Sequence, residues 1–255
     1  MIERMTRTHW LLLALAAISA IAQVADSPAF EVASIKPAKP NDKGALNISP
    51  GGAFSMTSDV QFVIQTFYNL KSFQIVGAPG WLSSERYAII AKSPDGTVVA
   101  TPPGADKNMP LRVQALLKDR FHLAAHREQH ELPVYILVIA KGGSKLKEPD
   151  PDQKFRLRLG RGSIVTEGGG KVAMLATLLE NQLDRKVIDE TGLAGAYKID
   201  LKWEPDPPAG APASELAKGP TIFTALQEQL GLKLESAKRP VDVLVIDHVE
   251  RPSEN

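Results

Sequence analysis

The sequence predicts an α+β protein of two similar lobes, each an antiparallel sheet covered by two helices. Three observations carry this reading. A helix–strand–strand run over 111–139 returns over 221–249. In both runs the apolar residues pass from a spacing of three and four to strict alternation, which is the change from helix to strand. Glycine and proline clusters punctuate corresponding places in the two halves.

Laid with Leu117 over Leu226, LLKDRFHLAAHREQH and LQEQLGLKLESAKR share their apolar pattern. Phe121 falls on Leu230, Leu123 on Leu232 and Pro133 on Pro240, after which VYILVI falls on VDVLVI. The overlay implies an internal duplication with the order ββ-α-ββ-α-ββ in each copy. Residues 121–139 are expected as two strands folded back on each other.

The elements follow in order. Residues 30–35 and 155–159 alternate and open the two copies as strands. Each is followed by a glycine-bearing turn and a second strand, at 53–57 and 163–167. Val60, Val63, Ile64 and Phe67 form a helical stripe, with Ser58 or Asp59 as N-cap. Val172, Leu175, Leu179 and Leu183 form its counterpart. Each helix leads to an expected strand pair: 73–76 with 86–91, and 186–189 with 196–202. Asn108 and Pro110 start the helix over 111–120. Pro220 or Thr221 starts the last helix, and Gly231 stops it. Residues 36–50 read as a long hairpin connection, and 93–108 and 204–219 as linkers inside each half. Residues 76–82 form a tight turn with an apolar lid, and Trp81 is expected to pack on the first helix. Stacking on a ligand is the alternative for that ring.

Arg4 and Arg7 precede the apolar run 10–22, which ends in Ala20-Ile21-Ala22. A basic start, a short apolar run and small residues at the cut describe a signal peptide over 1–22. The run is short for a membrane span, and an uncleaved anchor is the other reading. The chain is expected to divide into a first lobe at 28–143, a linker at 144–153, a second lobe at 154–250 and a tail at 251–255. Export to the periplasm or beyond, after cleavage near Ala22, follows. The sequence has no cysteine, which excludes disulfides, thiolate metal sites and thiol catalysis. The formal charge is +1, and the first 22 residues account for it. A nucleic-acid partner needs a concentrated basic face and is not expected.

Several residues invite a chemical reading. His122, His126 and His130 are spaced by four. On a helix they would make a metal face. On a strand, His122, Ala124, His126, Glu128 and His130 share a wet face, and His126 stands about 13 Å from His130. His248 is expected at the surface beside Asp247 and Glu250. Gly142-Gly143-Ser144 and Gly160-Arg161-Gly162-Ser163 lack the rest of a G-x-S-x-G nucleophile elbow. Gly168-Gly169-Gly170 ahead of a helix reads as a flexible turn, with anion binding as the alternative and Glu167 beside it unfavourable. Asp189 and Glu190 are adjacent, so on a strand they point apart and form no dyad. Arg156 and Arg158 share a strand face, with Arg161 nearby. They read as a solvated face, or as a holder of acidic groups.

AFEVASIKP, GAPGWLSSERYAIIAK, LLKDRFHLAAHRE, LPVYILVIAKGG, VIDETGLAGAYKIDLKW and FTALQEQLGLKLE with VDVLVIDHVERPSEN span nearly all of the chain beyond residue 28. In these motifs it resembles an exported soil-bacterial family of unknown function, expanded in Acidobacteria. The resemblance implies no established reaction and no transferable catalytic residues. Some relatives are joined to membrane metallopeptidases of the antirepressor type, which implies envelope sensing or regulation.

No catalytic, cofactor-binding or metal-ligating residue is therefore assigned. The expected role is a non-enzymatic binding or scaffold protein of the cell envelope, meeting a protein or envelope component by strand-edge pairing. No cofactor, no nucleic acid and no membrane span in the mature chain are expected. The alternatives are an envelope hydrolase, metal-assisted through the histidines, and a sensor partner of a membrane metallopeptidase.

Overall fold

The computed structural model describes residues 28–39, 41–42, 44–48, 53–94, 108–205 and 219–252. The expected signal peptide and most of the two internal linkers lie outside these. Helices and several antiparallel sheets make an α+β fold, as the sequence predicts.

The first part of the chain runs β1 (Val32–Pro37), β2 (Leu46–Ile48), β3 (Ala53–Asp59), α1 (Val60–Tyr68), β4 (Ile75–Val76), α2 (Trp81–Ser84), β5 (Arg86–Lys92), α3 (Met109–Arg120) and β6 (Ala124–Ile139). The second runs β7 (Arg156–Gly160), β8 (Ser163–Glu167), β9 (Gly170–Lys171), α4 (Val172–Leu183), β10 (Val187–Asp189), β11 (Ala196–Tyr197), β12 (Asp200–Lys202), α5 (Ile222–Ala225) and β13 (Leu232–His248). A π turn over Leu226–Leu230 joins α5 to β13.

Helix α1 forms where its stripe predicts. Asp59 caps it by accepting from Phe62 N–H at 2.8 Å, and Val60, Val63, Ile64 and Phe67 are buried. Thr221 caps α5 in the same way through Thr224 N–H.

The centre of the molecule corrects the expected hairpins. Residues 121–139 do not fold back. β6 is one strand of 16 residues, and it pairs antiparallel with the 17 residues of β13 from Ile139↔Leu232 to Ala124↔His248. Two reasons are local. The stretch His130-Glu131-Leu132 offers neither the glycine nor the asparagine of a tight hairpin turn. Pro133 also loses no ribbon hydrogen bond. Tyr135 N–H points outward to Lys186 C=O at 2.8 Å, so two residues earlier the proline nitrogen faces the same outer edge. On β13, Gln74 Nε2 donates to Asp242 C=O at 2.8 Å, which places Pro240 likewise.

The expected pairing of 73–76 with 86–91 is also absent. Helix α2 intervenes, β4 joins β13 in parallel at Leu244 and Val245, and β5 lies between β1 and β3. Likewise 186–189 does not pair with 196–202. β10 joins β6 in parallel, Val187–Asp189 on Tyr135–Leu137, while β11 pairs β9 and β12 pairs β8. The Asp189 carboxylate accepts from Thr191 N–H at 3.0 Å and turns the chain away. The order ββ-α-ββ-α-ββ is therefore realised in neither half. The sheets are β1-β5-β3-β2, β10-β6-β13-β4, β12-β8-β7 and β11-β9.

The long ribbon serves two cores. Leu244 and Ile246 of β13 pack with Phe54, Ile64, Leu117 and Phe121. Leu137 of β6 packs with Leu175, Leu179, Leu201 and Leu226, together with Leu232 of β13. Each long strand thus gives one end to each core. Val134, Ile136 and Val241 cluster with Phe73 and Ile188 on the ribbon's other face. Residues 144–153, expected as a link, lie against the second core: Lys145 N–H donates to Leu230 C=O at 2.9 Å, and Lys147 bridges Lys198.

Candidate functional site

Among the described strands, β7 is exposed at every residue. FRLRLGRGSIVTE alternates apolar and arginine residues, then turns through Arg161 and Gly162 into β8. Gly162 has φ +75°, and a Cβ there would stand 2.3 Å from Trp203 C=O. Its own carbonyl accepts from Trp203 N–H at 2.9 Å, so the hairpin tip is fixed to the chain just beyond β12. β8 is held on both sides. Ile164 is buried, and the Thr166 hydroxyl accepts from Ile199 N–H at 3.0 Å. β7 is held on one side alone. It ends the order β12-β8-β7, and all five of its residues are exposed.

The two faces of β7 differ. Leu157 pairs with Thr166 and Leu159 with Ile164, so both leucines stand on the core side of their sheet. They overhang the core, at 36% and 60% exposure, with Phe155 at 54%. Arg156 and Arg158 stand on the outer side with Val165 and Glu167. Arg158 Nη2 lies 2.5 Å from Glu167 Oε1, and Arg156 and Arg161 have no carboxylate partner among the described residues. An unpaired strand edge with one apolar and one cationic face can receive an added strand.

The histidines form a surface strip. His126 Nδ1 is 2.8 Å from Asp247, Nε2 is 2.9 Å from Glu128, and Glu128 reaches His130 Nε2 at 2.7 Å. Both nitrogens of His126 thus face carboxylates, which only accept, so the geometry calls for the doubly protonated ring. The bond to Asp247, then that to Glu128, raises the His126 pKa. The bond from His126, then that from His130, lowers that of Glu128. His126, Glu128 and His130 share the expected face, whereas His122 precedes the strand in a left-handed turn at φ +49°. His248 is exposed and pairs with Glu250 at 2.9 Å. Among the described residues, no group of three or more such side chains is arranged to hold a metal ion.

A second cluster was not legible as a unit. Glu85 receives Arg251 through Nε at 2.9 Å and Nη2 at 2.6 Å, and Tyr87 donates to it at 3.0 Å. The Arg251 guanidinium stands 5.0 Å from the centre of the Trp81 ring, which itself packs on the first core. Burial, then the Glu85 carboxylate, pushes the Tyr87 phenol up to about 12. The Arg251 bond holds Glu85 below the usual carboxylate range. The cluster borders a cavity of about 430 Å³ with Ile35, Pro37 and Pro252. Glu85 and Arg251 neutralise each other, so the cluster reads as a clasp tying Arg251 to the start of β5. The signal lay in two motifs, GWLSSERY and VERPSEN, whose charged residues are 166 positions apart.

The remaining candidates are structural. Gly168 and Gly169 are crossed by 149–154, with Gln153 C=O 2.3 Å from where a Cβ would lie on Gly168. This is a packed turn, where a flexible one was expected. Ser144 accepts from Leu146 N–H at 3.2 Å, and Glu190 lies 3.8 Å from Arg239.

A family model described as a protein of unknown function, DUF3738, matches residues 61–249. The chain belongs to the DUF3738 family. No curated protein and no solved structure matches this DUF3738 chain. Among its described residues, no helix is long and apolar enough to cross a membrane.

Proposed function

We propose that this DUF3738 protein is an exported, non-enzymatic binding module of the cell envelope that takes up an extended segment of a partner on β7. One observation carries the reading: a five-residue strand at the end of its sheet, exposed throughout, with Leu157 and Leu159 overhanging the core. Addition there would satisfy the free backbone groups and cover both leucines, the two sources of affinity in strand addition. The basic start and Ala20-Ile21-Ala22 motif support export.

Selection of binders from a library of extended peptides tests this. The selected peptides should lose binding to a Leu157→Lys/Leu159→Lys variant, whose changes lie on exposed positions. Undiminished binding to that variant would remove β7 as the site. Turnover in a broad hydrolase screen, abolished by a single point mutation, would overturn the non-enzymatic reading.

We also propose that the two halves are interlocked copies of one unit. The overlay places Leu132 on Arg239, and these two residues are paired across the ribbon. A two-fold relation between copies would require that self-pairing. Comparing Leu137→Ala with Leu244→Ala tests it: comparable losses of stability support the relation, and a severalfold difference counts against it.

A further inference from the structure

Resting on the strand-addition reading, we infer that the occupant of β7 is an acidic extended segment, with carboxylates alternating with apolar residues, and not a second copy of this chain. The argument starts from register. Arg156 and Arg158 project from one face of the edge, Leu157 and Leu159 from the other. A strand added beyond β7 sets its side chains directly opposite these, with Cβ atoms about 5 Å away. Carboxylates on the outer face would meet Arg156 and Arg158, and Arg161 at the hairpin tip would lie within reach of the same segment. Apolar residues on the other face would meet the two leucines and extend the layer over the second core.

A second copy fails the same test. Two β7 edges joined antiparallel about a two-fold axis keep like faces together, so the arginines of each copy face those of the other. Like charges directly opposite are destabilising, and natural sheets use charged edges in this way to prevent self-association. The local charge balance agrees. Glu167 is the one carboxylate on the outer face of this hairpin, and Arg158 already holds it. Arg156 and Arg161 remain available to a partner, and the exposed Arg158 guanidinium, with five N–H donors, can serve Glu167 and a partner carboxylate together. The guanidinium fork favours paired carboxylate oxygens, which suits aspartate and glutamate side chains.

Short labelled peptides in which valine alternates with glutamate, threonine or lysine separate the outcomes by fluorescence anisotropy. The glutamate peptide should bind about tenfold tighter than the threonine peptide, as two cross-strand ion pairs allow. The lysine peptide should bind least, and the differences should shrink at high salt. Arg156→Gln/Arg158→Gln should level the order, and Arg156→Glu/Arg158→Glu should reverse it. These side chains are exposed, and circular dichroism checks that the variants fold. Equal binding of the glutamate and threonine peptides, or an order unchanged in the reversed variant, would overturn the acidic partner and leave strand addition standing. Binding of none of the three would overturn both. A free protein that sediments as a dimer, made monomeric by Leu159→Lys, would make the second copy the occupant and overturn the inference.

Discussion

Replacing Leu244 by alanine separates the ribbon architecture from one in which neighbours in sequence fold together. Leu244 lies near the C-terminus, yet at 2% exposure it packs in the first core, among residues of α1 and α3. Removing a buried leucine side chain costs about 2–5 kcal/mol, made up of lost burial and the cavity left behind. Tryptophans report each core separately: Trp81 packs against the first and Trp203 against the second. Urea unfolding, followed by fluorescence in a Trp10→Phe/Trp203→Phe background and again in a Trp10→Phe/Trp81→Phe background, reads the two. The Trp81 transition should move to lower urea by that free energy. The Trp203 transition should move with it, because β6 and β13 enter both cores and bind them into one cooperative unit. A Trp81 transition left in place while Trp203 shifts would refute the reasoning.

Other consequences follow from single positions. Gly231 has φ +64°, and a Cβ there would stand 2.2 Å from Gly143 C=O. Gly231→Ala should therefore cost about 2 kcal/mol or more in denaturant stability, and an unchanged midpoint would contradict the close approach. In the histidine strip, the raised His126 pKa makes a contribution that is complete below about 6.5 and fades as pH rises through the folded value. The lowered Glu128 pKa makes one that is complete above about 4.5 and is lost as pH falls through its folded value. The strip should stabilise most between these limits, and His126→Ala should flatten the alkaline fall of the unfolding midpoint. A wild-type midpoint that rises above neutral pH and is unaffected by His126→Ala would contradict it. Tyr87 should ionise at about 12 in an ultraviolet titration, and Glu85→Gln should lower that value part of the way, burial accounting for the rest.

Much of the local structure was legible because its causes are local. The α1 stripe and its Asp59 cap, the β7–β8 hairpin, and the Gly231 stop depend on residues within one or two turns of each other. The path of the ribbon was not. Alternation fixes the face on which His126 or Leu137 stands, but a strand pair and a single long strand share that period. Residues 121–139 looked like a fold-back, and Pro133 tolerates the single strand because its nitrogen faces an edge that β10 does not reach. The parallel additions of β4 to β13 and β10 to β6 join segments far apart in sequence, with two or three residues each to signal them. The Glu85–Arg251 clasp escaped for the same reason. On β7, the alternation of leucine and arginine was legible, whereas its place at the end of a sheet required the topology.

Amide hydrogen exchange over residues 156–160 tests the central claim most directly. In the free protein these amides should exchange faster than those of β8, and a bound valine–glutamate peptide should slow them while leaving β1 unchanged. A saturating peptide that leaves β7 exchange untouched would contradict the account.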